Sequence, residues 1–386
     1  MVRRAKGGVN PTSDRGAVLL SDSDGVAKTQ GVLPTASTTS APSVLPTDDE
    51  TDFARLRKLI TEAGLLGRRP GYYTARIGLV ALAFVAGWAT LFLAGDSWWQ
   101  LLTAVFLGVV SVQIALVAHD LAHRQVFRTR QPSEIAGMIA GNLCIGMSYG
   151  WWMDKHTRHH ANPNHEDLDP DVIPDILVWS TRQAQASHGI ARFIGRWQAF
   201  WFFPLLTLEG LNLHVSGVRA LRRPTLRNRG LEAVLLGVHF VAFTAAPFIA
   251  LSPGKAVLFL VIHQVIFGVY LGCTFAPNHK GMPTLRGADR PDFLRRQVLT
   301  SRDVRGGVVV DVAMGGLNYQ IEHHLFPNMP SPNLRRAQPI IANYCAAIGV
   351  SYEQTGVIDS YTRALRHLHR VGAPIRATEP DGRPAP

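Results

Sequence analysis

Four stretches of this chain, 77–95, 97–118, 233–254 and 256–275, contain no Asp, Glu, Lys or Arg. Each has about the 20 apolar residues that a helix needs to cross a bilayer. Inside a bilayer every backbone N–H and C=O must be satisfied within the segment, which for an isolated stretch means an α-helix. Asp96 alone separates the first two stretches. Lys255 alone separates the last two, just after Ser252-Pro253-Gly254. Each pair therefore reads as a helical hairpin that enters and leaves on one side. The expected fold is all-α and membrane-integral, with two transmembrane hairpins and four spans.

The open ends of the hairpins carry the arginines: Arg68, Arg69 and Arg76, then Arg124, Arg128 and Arg130, then Arg219, Arg222, Arg223, Arg227 and Arg229. The positive-inside rule puts these ends, and both termini, on the cytoplasmic side. The net charge of +11 thus records topology. No groove-reading motif or stacking module accompanies it, so nucleic acid is not an expected partner. Three cysteines, none in a CxxC pair, exclude a disulfide scaffold and a cysteine-rich zinc module.

Residues 1–50 are rich in Ser, Thr, Pro and Asp and lack apolar periodicity; they read as a disordered cytoplasmic tail. Val18-Leu19-Leu20 is too short for the core of a signal peptide. Residues 51–350 form the main domain, and 351–386 a C-terminal helix and flexible tail. Two further apolar stretches, 135–153 and 197–208, are expected as interfacial helices, with Trp151, Trp152, Trp197 and Trp201 at headgroup depth. A span through 135–153 would place its two histidine-rich flanks on opposite sides of the membrane.

Those flanks carry the chemistry. Three groups stand out among 15 histidines: His119-Asp-Leu-Ala-His123, His156-Thr-Arg-His159-His160 and Gln320-Ile-Glu-His323-His324. Helical positions i, i+3 and i+4 share one face, so a single helix can offer two or three imidazoles to one cluster. An isolated HxxxH arises by chance roughly half a time in such a chain, the triple HxxHH only about 0.02 times. Imidazole suits Zn, Cu, Fe and Ni alike. Seven or eight ligands exceed what one tetrahedral zinc takes, which points to two metals. The HExxH of a zinc protease is absent. Oxygen activation by two irons, aimed at an unactivated C–H bond of an acyl chain, fits what is left.

The run from Trp151 to Val172, containing His156, His159 and His160, resembles the second histidine box of membrane fatty acid desaturases. The run from Asn318 to Pro327, with His323 and His324, resembles the third box. Gln320, where that box usually begins with histidine, is similar to the front-end type, which places a new double bond between an existing one and the carboxyl end. The resemblance extends from about Asp52 to Ala347. It implies a cytoplasmic helical cap over the hairpins, two non-haem Fe ions and O2 as oxidant. It implies His119, His123, His156, His159, His160, His323 and His324 as metal ligands, with His279, beside Asn278, as a further ligand outside the boxes. From sequence alone His279 could equally cap a helix. Gln320 and Asn278 could ligate weakly or through water. Asp120 and Asp169 are expected behind the imidazoles, as acceptors of their N–H groups.

The expected substrate is a membrane-embedded fatty acyl chain, carried as acyl-CoA or acyl-lipid. Unlike many front-end desaturases, the sequence shows no cytochrome b5 domain and no His-Pro-Gly-Gly haem motif. A separate electron donor is therefore expected, either a ferredoxin or cytochrome b5 with its reductase. The bacterial plasma membrane is preferred to the endoplasmic reticulum as the setting. A related di-iron hydroxylase is the alternative activity. His239 and His263 lie mid-span and read as inter-helix hydrogen-bonding groups, His165 as a loop residue, and His188, His214, His367 and His369 as surface residues. Asp154, Asp167, Asp171 and Glu322 read as solvated carboxylates by default.

Overall fold

The computed structural model describes residues 51–377, so the tail expected at 1–50 and the final residues 378–386 lie outside the described part. Helix α1 (Asp52–Glu62) is capped by Thr51, whose hydroxyl accepts from the Ala54 N–H. The first hairpin follows as α2 (Pro70–Leu93) and α3 (Gln100–Ala122). After it come α4 (Arg130–Met138), a π-helical turn (Ile139–Cys144) and α5 (Tyr149–Ala161). Four short helices then lead onward: α6 (Thr181–Ala186), α7 (Gly189–Arg196), α8 (Gln198–Leu206) and α9 (Glu209–Ala220). The second hairpin is α10 (Arg229–Ala250) and α11 (Pro253–His279). The rest comprises α12 (Phe293–Leu299), β1 (Asp303–Arg305), α13 (Gly307–Ala313), α14 (Gln320–Leu325), α15 (Ser331–Ala347), β2 (Gln354–Gly356), α16 (Val357–Val371) and the single turn α17 (Ala373–Arg376). Strands β1 and β2 pair in parallel, Val304 opposite Thr355.

Helices α2, α3, α10 and α11 are long and apolar enough to cross a membrane. They overrun the charge-free stretches at their arginine-bearing ends, because helical hydrogen bonding does not stop where the first charge appears. Arg76 in α2 and Asp120 in α3 illustrate this, pairing at 2.8 Å in a largely buried place. At the opposite end the two hairpin turns meet: Asp96 accepts from the Ser252 N–H at 3.0 Å and pairs with Lys255 at 3.2 Å. Helix α3 is buried along most of its length, whereas α2 and α10 expose apolar side chains outward, as the helices of an integral membrane protein do.

Neither 135–153 nor 197–208 forms a fifth span. The first breaks over 145–148, where Gly146 adopts φ +67° and leaves no room for a side chain against His239 and His214. Breaking a helix at this depth frees backbone groups that something must satisfy. His214 Nδ1 donates to the Gly146 carbonyl and His239 Nδ1 to the Leu143 carbonyl, each at 2.9 Å. Buried Glu232 accepts from Asn142 Nδ2 at 3.0 Å, Ser148 Oγ at 2.5 Å and the Gly150 N–H at 3.1 Å. His239 thus acts as the inter-helix hydrogen-bonding group expected, and His263 likewise meets Ser111 at 3.1 Å. His214 does not lie on the surface as expected, because the break supplies a carbonyl that no local sequence signal announces.

At the arginine-bearing end, α1, α12, α14 and α15 pack around Leu56, Ile60, Val298, Ile321, Leu325 and Leu334. This cap closes over a second apolar core built from α3, α9, α11 and the 145–147 break. The site lies between the two.

Candidate metal centre

Three helix ends and one short helix converge here. Helix α3 ends at Ala122, with His119 in its last turn and His123 as its cap residue. Helix α5 brings His156, His159 and His160, α11 ends on His279, and α14 carries Gln320, His323 and His324. The three sequence motifs and His279 thus come together in space. Their nitrogens fall into two groups: His119, His123, His156, His160 and His323 in one, His159, His279 and His324 in the other.

In the five-histidine group, His123 Nε2 lies 2.8 Å from His156 Nε2. That atom lies 3.1 Å from His160 Nε2, which in turn is 3.2 Å from His323 Nε2. One ring nitrogen cannot serve two neighbours with a single N–H. Both nitrogens of His119 are buried without a hydrogen-bond partner in the described structure. A cation resolves this arrangement. With metal–imidazole bonds of about 2.1 Å, neighbouring nitrogens at right angles would lie about 3 Å apart and opposite ones about 4.2 Å apart. The neighbouring separations of 2.8, 3.1 and 3.2 Å match the right-angle spacing.

In the three-histidine group the outer nitrogen of each ring is tied. His159 Nδ1 donates to Asp169 Oδ2 at 2.9 Å, His279 Nδ1 to the Thr300 carbonyl at 3.0 Å, and His324 Nδ1 to Gln297 Oε1 at 2.9 Å. These bonds fix each tautomer and turn each Nε2 inward, as supporting residues do around metal-bound histidines. His324 Nε2 is buried with no partner. Gln320 Nε2 sits 3.0 Å from His279 Nε2, while its Oε1 accepts from Asn278 Nδ2 at 3.0 Å. The Asn278 Oδ1 is buried and unpartnered. Both amides thus stand beside this group.

The electrostatics agree. Burial, helped by neighbouring imidazoles, holds His123, His156, His160, His323 and His324 well below the usual imidazole range, so they stay neutral with lone pairs available. Burial pushes His159 down too, but the Asp169 and Asp171 carboxylates outweigh it and raise the ring above its ordinary value.

The expected supporting carboxylates differ. Asp169 accepts from His159, as above. Asp120 instead bonds Arg76 at 2.8 Å and Ser331 Oγ at 3.2 Å, and stays 3.6 Å from His119 Nδ1. Asp171 is no free loop carboxylate: it pairs with Lys155 at 2.7 Å and lies 3.4 Å from His159 Nδ1. Glu322 is buried, accepting from the Tyr352 hydroxyl at 2.7 Å. His165 is buried in its loop, where Arg290 donates to its Nε2 at 2.9 Å, and takes no part in either group. His367 is partly buried against the Trp179 carbonyl at 3.0 Å, whereas His188 and His369 are exposed.

Sequence reasoning read Trp152 as an interfacial anchor or packing residue; its ring stacks on His156 with centroids 4.4 Å apart and forms a wall of the site. Sequence reasoning missed Gln297, Thr300 and Arg302. The Arg302 guanidinium, wholly buried, donates to the carbonyls of Pro277 at 2.5 Å and Lys280 at 2.9 Å and to Ser360 Oγ at 2.9 Å. It thereby secures the end of α11 on which His279 sits. These residues lie in no motif, and nothing in the polar run Thr300-Ser-Arg-Asp-Val304 announces that it is buried.

A family model described as fatty acid desaturase matches residues 96–356. Among curated proteins the chain is 29% identical over 330 residues to an acyl-lipid (9-3)-desaturase of Physcomitrium patens, covering 83% of this chain and 62% of that protein. It is 29% identical over 327 residues to the delta(5) fatty acid desaturase fat-4 of Caenorhabditis elegans, covering 80% and 70%. It is 25% identical over 355 residues to a delta(8)-fatty-acid desaturase of Euglena gracilis, covering 89% and 83%.

Proposed function

Because the chain belongs to the fatty acid desaturase family, we propose that it is an oxygen-dependent acyl desaturase that introduces a cis double bond into a membrane-embedded acyl chain. The carrying observation is the convergence of eight buried or half-buried imidazoles into two groups at one end of four spans. In this reading His119, His123, His156, His160 and His323 hold one non-haem iron. His159, His279 and His324 hold the other, with Gln320 and Asn278 offering a weak or water-filled position. When bound, the iron pair supplies the oxidant that takes two hydrogens from the acyl chain while O2 is reduced to water.

The chain's own residues do the rest. Asp169, Thr300 and Gln297 keep three rings in the ligating tautomer. Trp152, Leu116, Met147, Phe267 and Leu317 offer an apolar bed beside the histidines. Each CH2 buried there stabilises by about 0.8 kcal/mol, so an acyl chain binds without polar contacts and register is set by shape. The active site and both termini face the cytoplasm, and a bacterial plasma membrane is the setting. A separate acidic donor, a ferredoxin or cytochrome b5, delivers two electrons, steered by the arginines between 219 and 229.

Gln320 and the relatives named delta(5) and delta(8) support front-end regiochemistry. A host expressing the chain, fed stearate, oleate and linoleate separately, should yield a product two hydrogens lighter, with its new bond on the carboxyl side of the existing one. A monoene made mainly from stearate would refute the front-end assignment, and a product gaining one oxygen would refute desaturation.

A further inference from the structure

Helix α13 buries none of its seven residues, and Val308, Val309 and Val312 are 66%, 80% and 63% exposed. It nevertheless lies against the spans. Gln113 Nε2 donates to the Val312 carbonyl at 3.3 Å, and the Tyr270 hydroxyl donates to the Ala313 carbonyl at 2.7 Å. Gln113 precedes His119 by six residues and Tyr270 precedes His279 by nine. At 1.5 Å per residue the tethers therefore sit roughly 9 and 14 Å along the spans from the histidines, toward the hairpin turns. The valines are exposed, as are Leu79, Leu82, Phe106 and Val109 of the first hairpin, an apolar surface open to lipid acyl tails.

Two features set α13 apart from a fixed anchor. Glycine pairs bracket it, with φ +70° at Gly307 and +61° and +87° at Gly315 and Gly316, backbone that other residues rarely adopt. Its few apolar contacts mark low local stability, and its ties are polar: the Gln113 and Tyr270 tethers and Asp311, which accepts from Asn318 Nδ2 at 2.8 Å and lies 3.5 Å from Arg335. Behind it stand buried Leu116 and Leu317, one turn before His119 and Gln320 respectively, in the apolar core that reaches Trp152. A side chain on Gly315 would meet Arg76 Nη2 at 2.9 Å and Leu116 at 3.1 Å. Displacing α13 therefore uncovers a short path from the bilayer to the histidines, apolar at Leu116 and Leu317 and rimmed by the Arg76 guanidinium.

We propose that α13 is a lateral port, swinging on its glycine pairs to admit the acyl chain of a membrane lipid sideways from the bilayer. The proposal rests on the acyl desaturase reading above and names the route its substrate takes. The test joins α13 to α3 in the full-length protein, in phosphatidylcholine vesicles, by closing Gln113→Cys/Val312→Cys with a short bis-maleimide. Wild type treated identically controls for Cys144, Cys273 and Cys345. The readout independent of turnover is photolabelling of the peptide containing Leu116 by a phosphatidylcholine whose acyl chain carries a diazirine. Linking should cut labelling at least tenfold without changing metal content, and Tyr270→Phe, which removes one tether, should raise it. Equal labelling of linked and unlinked protein would overturn the port. Reduced labelling with no desaturated product from wild type would leave the port standing and refute the chemistry instead.

Discussion

Asp169 offers the cleanest separation of support from ligation, because it touches a candidate ligand and is itself no member of either imidazole group. Its Oδ2 accepts from His159 Nδ1 at 2.9 Å and from the Asn164 N–H at 2.8 Å, and its Oδ1 accepts from the Asp171 N–H at 2.9 Å. Asp169→Asn preserves the shape but sets an NH2 against one of these donors whichever way the amide turns. Facing His159, it forces the proton from Nδ1 to Nε2 and removes a lone pair from the three-histidine group. Facing Asp171, it loses a buried bond to the loop. A hydrogen bond to a charged group is worth about 1.5–3 kcal/mol. Loss of an outer partner typically costs about 10–100-fold in metal affinity, the same range in energy. Held at a fixed chelator concentration and assayed for metal per chain, the variant should drop from two ions to one, the five-histidine group staying loaded. Asp171→Asn, further from His159 and partly exposed, should lose less. Asp169→Asn with undiminished metal and turnover would reduce Asp169 to a loop staple and refute the tautomer argument.

Arg302→Met should cost about 1–3 kcal/mol for each buried carbonyl it leaves unpaired; Arg302→Lys should recover part, and an unchanged thermal midpoint would contradict the role assigned. Burial pushes the Asp303 and Glu322 carboxyls up as a pair, so the folded protein holds their protons more tightly than the unfolded chain. Their contribution is therefore present below about pH 4 and is lost as pH rises above the ordinary carboxylate range; Asp303→Asn with Glu322→Gln should flatten that part of a stability–pH profile, and an unaltered slope would count against it. Glu232→Ala leaves the donors of Asn142, Ser148 and Gly150 unpaired in a buried place. At about 1–3 kcal/mol per unsatisfied group, protease should cut the variant faster near the break than Glu232→Gln; equal rates would deny that Glu232 holds the break.

The legible parts of this protein were those written in local periodicity. The four spans follow from missing charges, and the histidine spacing put these rings on shared helix faces at one end of the bundle. What escaped depends on side chains reaching backbone groups far along the chain. The partner of His279 is a carbonyl 21 residues later, and His324 is tied by Gln297 from another helix. Neither carries a sequence signal, because any residue offers a carbonyl and any exposed glutamine looks the same in one dimension. The break at 145–148 escaped for a related reason: the carbonyls it frees are satisfied by His214 and His239, which read as unremarkable until the break is seen. Trp152 was left between anchor and packing because tryptophan near a membrane surface suits headgroup and protein wall equally well, and its packing partner His156 lies on the same helix face.

The Arg302 contact has a consequence for the end of the chain. Ser360, on α16, both receives the guanidinium and donates to the Pro277 carbonyl at 2.6 Å, while Tyr361 donates to the Cys273 carbonyl at 2.6 Å. The last described long helix is thus fastened to the segment that delivers His279, although it contributes no histidine to either group. A chain cut at Gly356, just beyond every histidine motif, would keep all eight imidazoles and still leave a buried cation half paired at the root of one of them. Trimming to the motifs would spare the ligands and loosen their footing.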